Sequence, residues 1–202
     1  MRRQVVRRLI GAAGLIVVMA ASLMAAGFWD DKPFTTWSDM ELQQILADSP
    51  WSRPLAASFN AVDPERQLTV TWRTALPMKQ ALIRGQIGEN GTVPPAAQEI
   101  LSRTEEVYGV SVAGLPVSIT PFFDAAKEAT FLLREGKPPV PAEGLLSTPQ
   151  PDDTYLLVAI FPKTDAIVLG DQEVEFVTTL GGIQIRRKFL LKEMVFNGQL
   201  EL

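Results

Sequence analysis

The sequence predicts an α+β fold: a mostly antiparallel sheet with three or four helices, the helices lying on one face, and a hairpin meander at the C-terminal end. Three observations carry that prediction. Residues 67–73 alternate, with Leu68, Val70 and Trp72 on one face and Thr69, Thr71 and Arg73 on the other, the pattern of a half-buried strand. Two apolar stretches meet at Gly181-Gly182, a two-residue turn that sets the register of a hairpin. Helical spacings fill the first two thirds of the chain between isolated strands, and strands gather at its end, which suggests an α+β domain.

The chain opens with Arg2, Arg3, Arg7 and Arg8, followed by an uncharged apolar stretch over residues 9–27. A basic start, an apolar run and a small-residue exit at Ala25-Ala26-Gly27 read as a secretory signal peptide over residues 1–27. Nineteen uncharged residues also sit at the edge of the length that spans a bilayer, so a retained N-terminal anchor is the rival reading. Arg2-Arg3 adds the core of a twin-arginine signal. Export places the protein in the periplasm or outside the cell, with no integral span once the signal is cleaved.

Cleavage removes four of the 19 basic residues and none of the 23 acidic ones, which takes the formal charge from −4 to −8. A net acidic surface without a basic cluster argues against nucleic acid as the main partner, and against an anionic membrane surface. There is no cysteine, so neither disulfides nor lipid attachment at a signal-peptide cysteine is available and the core must hold the fold.

Residues 28–54 form an aromatic segment with three of the four tryptophans, Trp29, Trp37 and Trp51. Ser38 and Glu41 make a capping box, Trp37 and Leu42 a hydrophobic staple, and a helix follows from Asp39 to about Ala47. Two readings of the aromatics stand. They clamp a short helix onto the main domain, because such a helix is marginal alone. Or Trp29, Phe34, Trp37 and Trp51 bind a partner, an unidentified protein or envelope component, as aromatics do at interaction hot spots.

Here the sequence resembles a known family. Lys32-Pro33-Phe34, Trp37-Ser38, Glu41 and Ser49-Pro50-Trp51 are similar to the opening signature of a family of uncharacterised secreted bacterial proteins. The resemblance continues at residues 72–77 and 161–164 and in the last thirty residues. It implies a secreted domain and supplies no catalytic or binding residues.

Residues 55–202 read as a single α+β domain. After the strand at 67–73, Pro77 opens a helix to about Gln86. Pro94-Pro95 precedes a second helical pattern through Ala97, Ile100, Leu101 and Val107. Tyr108, Val110 and Val112 mark a strand broken by Gly114 and Pro116. Thr120-Pro121 starts a third helix whose stripe runs through Phe122, Ala125, Ala126, Ala129, Leu132 and Leu133. Residues 137–151, with five prolines, read as a loop. Residues 155–161 are a continuous apolar run and read as a central strand buried on both faces. A short strand at 167–169 follows. In the hairpin, Leu180 faces Ile183, Val174 faces Phe189, Glu175 faces Lys188, and Arg187 beside Phe176 is discordant. Residues 194–202 form a last strand, with Asn197-Gly198 as a turn or a bulge.

The absence of His and Cys excludes a Ser-His-Asp triad, a cysteine nucleophile and an ordinary zinc site. No metal or cofactor is called for. Carboxylates remain: Asp124 with Glu128, Asp152-Asp153 and Asp30-Asp31. Each reads best as a solvated face or turn, and none is nominated as a catalytic residue. The leading expectation is a non-enzymatic exported binding domain, and the alternative is a carboxylate-dependent enzyme acting on glycans or other envelope components.

Overall fold

The computed structural model describes residues 27–59 and 64–202. The signal segment, apart from Gly27, lies outside them. The elements run α1 (Phe28–Asp31), α2 (Asp39–Ala47), β1 (Ser52–Ala57), β2 (Arg66–Trp72), α3 (Leu76–Ile87), α4 (Pro95–Ser102), β3 (Val107–Pro116), α5 (Phe123–Ala126), β4 (Phe131–Leu133), β5 (Val140–Pro141), β6 (Gly144–Pro149), β7 (Thr154–Pro162), β8 (Glu173–Leu180), β9 (Ile183–Leu190), β10 (Val195–Phe196) and β11 (Gln199–Leu200). The fold is α+β with antiparallel pairing throughout. Among the described residues no helix is long and apolar enough to cross a membrane.

In place of one expected sheet, the described strands form two larger sheets and the small β10-β11 pair. A five-stranded sheet has the order β1-β2-β3-β7-β6, and a four-stranded sheet the order β5-β4-β8-β9. The alternation at Leu68, Val70 and Trp72 continues across the first sheet as Val110 and Val112, then Leu157, Ala159 and Phe161, all buried. This face meets the second sheet, where Trp72 stands edge-on to Phe189 and Phe161 edge-on to Phe176. The other face lies under α2 and α3. There Ser52 Oγ donates to Leu46 O and shares a hydrogen bond with the Thr71 hydroxyl. Residues 155–161 are therefore fully buried only on the side of Leu157, Ala159 and Phe161; Leu156, Val158 and Ile160 are half-buried.

The local signals hold where they are strongest. Ser38 Oγ accepts from Glu41 N–H at 3.3 Å, and Ser38 N–H donates to Glu41 Oε2 at 2.8 Å, which closes the capping box of α2. The β8–β9 register pairs Leu180 with Ile183, Glu175 with Lys188 and Phe176 with Arg187. Because β9 is an edge strand, Arg187 sits half-buried with one side open. Its neighbours' ion pairs are diagonal: Arg186 binds Glu175 and Lys188 binds Glu173. A twisted ladder brings diagonal side chains into reach. Asn197-Gly198 is a turn, joining β10 to β11 with both residues at positive φ.

Elsewhere tertiary pairing overrides the local pattern. The third helix is short and broken: two 3-10 turns, Val117–Phe122 and Lys127–Ala129, flank α5, and Leu132-Leu133 leave the stripe for β4. The buried Thr130 hydroxyl marks the break, hydrogen-bonded to Ala126 O and to the Thr178 hydroxyl. The proline-rich stretch carries β5 and β6 at the outer edge of each sheet, where the missing proline N–H costs no ladder bond. Residues 167–169 form no strand and lead into a 3-10 turn, Leu169–Asp171. Val107 belongs to β3, and α4 buries no residue. The expected boundary at residue 54 falls inside β1, whose Pro54 again occupies an edge strand.

Two predictions follow from this framework. A Cβ on Gly181 (φ 59°) would lie 2.8 Å from the Phe122 ring, whereas Gly182 (φ 84°) faces open space. Gly181→Ala therefore lowers stability by at least about 1–2 kcal/mol, the left-handed penalty alone. Gly182→Asn stays within about 0.5 kcal/mol, because Asn tolerates that region; urea midpoints separate the two. The Lys32 ammonium, 2.7 Å from Glu41, and the Ser38 N–H hold the Glu41 carboxyl down at about 2, against an ordinary 4.5. A depressed carboxyl stabilises the fold fully above its unfolded value and loses that contribution as pH falls through its folded value. Between pH 4.5 and 2 the Tm of the wild type therefore drops more steeply than that of Glu41→Gln, which keeps the box but does not titrate.

Candidate functional site

The aromatic segment is mostly turned inward. Trp37 and Trp51 have no exposed surface, which removes both from any contact with a partner; Trp29 and Phe34 pack against the core with part of each ring open. The rings touch edge-on in sequence: Phe34 on Trp37, Trp37 on Phe28, Phe28 on Trp29, Trp29 on Trp51 and Trp51 on Phe196. Trp51 Nε1 donates to Glu201 O at 2.9 Å. Burial answers the marginal stability of a nine-residue helix. A buried arginine that sequence reasoning did not single out completes the clamp: Arg84 on α3 donates from Nε to Trp37 O at 2.6 Å and from Nη2 to Asp39 at 3.0 Å.

The carboxylates do not assemble. Asp30, Asp31, Asp124, Glu128, Asp152 and Asp153 are all exposed. The break after α5 also removes the regular helical turn that would align Asp124 with Glu128. Among the described residues no group of three or more acidic side chains is placed to hold a metal ion.

Three concavities have ligand-sized volume; one of about 360 Å³ lies against Trp29, Phe34 and Gln80, and two are larger. Of these two, one, of about 660 Å³, lies beside Trp29 and Pro50, and its central Arg53 is already paired with Asp48 at 3.3 Å and Glu193 at 2.6 Å. The other, of about 690 Å³, opens where β2 and β7 leave the five-stranded sheet and β3 enters it. All three fall within the roughly 300–1,000 Å³ of small-molecule sites.

The cleft of about 690 Å³ carries the chemistry. Its wall toward α3 and α4 is held by Lys79, whose ammonium reaches Ile100 O and Arg103 O, each at 3.3 Å, and Glu105 at 3.1 Å, so that it caps the end of α4. Opposite stands Lys163, just past Pro162 at the end of β7. Its ammonium lies over the Tyr108 ring, 4.7 Å from the centroid, and finds no acceptor among the described residues. Burial pulls its pKa below the usual lysine value, against the pull of Glu105 and Glu201. Tyr108 is itself buried; its hydroxyl accepts from Ile167 N–H at 2.9 Å, and burial raises its pKa. Thr74 Oγ1 accepts from Gly109 N–H at 3.1 Å. Glu201 closes the remaining side, its carboxylate accepting from Leu76 N–H at the start of α3 at 3.1 Å.

Thr74, Tyr108, Lys163 and Glu201 are far apart in the chain, and sequence reasoning nominated none of them. Thr74 and Leu76, Lys163, and residues 199–202 at the chain end meet at this cleft from three separate stretches. Comparison with family models, with curated proteins and with solved structures finds no match.

Tyr108 couples the core to the cleft, and one atom tests this. Tyr108→Phe keeps the ring under Lys163 but leaves the Ile167 N–H without its acceptor, a loss of about 1–3 kcal/mol for a buried donor. Hydrogen exchange at Ile167 speeds up by about tenfold or more, while the Val110 and Val112 amides on the same strand keep their protection.

Proposed function

We propose that the protein is an exported, non-enzymatic binding domain whose ligand site is the cleft around Lys163. The observation that carries this reading is a half-buried ammonium stacked on a buried aromatic ring, with no acceptor among the described residues, inside a cavity of about 690 Å³. Holding a charge partly out of water is unfavourable unless something satisfies it, and a bound ligand would do so. The sheet ends make the walls rigid, as a preformed binding site requires. Export is supported by the basic start and apolar run of residues 1–27, and the resemblance of residues 32–51 to secreted bacterial proteins agrees with it. The chain lacks histidine and cysteine, and its paired carboxylates lie exposed, so binding fits these residues better than hydrolysis.

The two halves of the proposal have separate tests. Fused to a phosphatase that folds only where disulfides form, the full chain yields active enzyme if it is exported; inactive fusion retained in the cytoplasm overturns export. For the cleft, a mixed-charge fragment library is screened against the full chain by ligand-observed NMR. Hits that vanish in Ala166→Trp, an exposed wall position where the indole fills the cleft, support the site. Hits that persist in that variant, or an empty screen, overturn it.

A further inference from the structure

The Lys163 cleft is lined by two cations besides the paired Lys79: Lys163 itself and Arg103. Resting on the reading of this cleft as a binding site, we infer that it takes a small carboxylate with an apolar body. Lys163 offers three N–H donors, and no acceptor among the described residues uses them. Thr74 and Tyr108 each accept a backbone N–H, from Gly109 and Ile167, and the hydroxyl hydrogen of each is without an acceptor among the described residues. The two carboxylates of the cleft are engaged elsewhere: Glu105 on Lys79, and Glu201 on the Leu76 N–H. A ligand that completes this site brings acceptor atoms and a negative charge.

The charges that face Lys163 set how much negative charge is wanted. Glu105, Glu106 and Glu201 favour its protonated form and Lys79 opposes it. Glu105 is matched by Lys79 at 3.1 Å, and Glu201 by the positive end of α3. Lys163, with the Arg103 guanidinium in the same lining, suits a group with two oxygens, which a guanidinium meets with two parallel N–H donors. A phosphate dianion also wants an array of backbone N–H groups at a helix start. The helix start that could give such an array, at Leu76, is occupied by Glu201. The apolar part of the ligand follows from the rim beside Lys163, where Val168 and Leu169 stand side by side, 49% and 50% exposed. An apolar body seated over the carboxylate would cover them.

Calorimetric titration of the full chain with hexanoate, hexanamide, acetate and inorganic phosphate tests the inference. Hexanoate binds about tenfold or more tightly than its neutral amide, and more tightly than acetate or phosphate. Lys163→Gln, at a half-exposed position that does not carry the fold, loses about tenfold for hexanoate and leaves hexanamide unchanged. Equal binding of hexanoate and hexanamide, tighter binding of phosphate, no binding of hexanoate, or an unaffected Lys163→Gln variant each overturns the carboxylate inference. The Ala166→Trp variant separates the two levels. If hexanoate and hexanamide bind alike and both are lost there, the cleft is a site of different chemistry; if hexanoate binds that variant as it binds the wild type, the cleft itself is wrong.

Discussion

The structure depends on Trp72. This side chain sits at the last position of β2, fully buried, edge-on to Phe189 of the opposing sheet at 5.9 Å and to Tyr108 of the neighbouring strand at 5.6 Å. Its indole N–H has no partner among the described residues, a cost of about 1–3 kcal/mol. Burying a ring system of this size, with two edge-on contacts of about 0.5–1.5 kcal/mol each beyond area, offsets it. The contact sets how far apart the two sheets stand and at what angle Tyr108 leaves the core. Tyr108 then does two things at the surface: its face supports the Lys163 ammonium and its hydroxyl holds the Ile167 backbone. Core packing and cleft geometry are thus one arrangement.

The N-terminal segment and the C-terminal hairpin support the same cleft from behind. The edge-on series from Phe34 to Phe196 crosses from one to the other, and Trp51 and Leu76 both bond to Glu201, the first to its carbonyl and the second to its carboxylate. Arg84 fastens the start of α2 to α3, whose own start forms a cleft wall. The tryptophans at the head of the domain therefore act through position: they fix Glu201 and the start of α3, and so the depth of the cavity. Trp29 and Phe34, partly open, form the outer layer of that support.

The sheet edges follow a different constraint. β9 ends the four-stranded sheet and carries Arg186, Arg187 and Lys188, while β1, β5 and β6 carry proline. Charge and proline on an open edge discourage pairing with another chain. The exposed Arg186–Glu175 and Lys188–Glu173 pairs add little stability, since such pairs are worth about 0–1 kcal/mol. Their value is register: a slip of one residue would bring Ile185 and Phe189 to solvent and the charges inward.

What the sequence determined by itself is what short-range chemistry determines. Ser38 and Glu41 are three residues apart, and their reciprocal hydrogen bonds need no distant partner, so α2 was legible to its first residue. The alternation in β2 and the Gly181-Gly182 turn likewise set faces and register locally. Tertiary structure decided the rest. Whether Leu132 closes a helix or joins a strand depends on Phe176, opposite it in β8. Whether a proline-rich stretch is a loop depends on its lying at a sheet edge. Sequence marked the tryptophans as notable, but their burial is a property of the packed state. The cleft is the extreme case, since Lys163 becomes unusual only once Thr74, Tyr108 and Glu201 arrive from three other parts of the chain. Desolvation of a charge and the lack of an acceptor are features of a volume, and neighbours along a chain do not encode them.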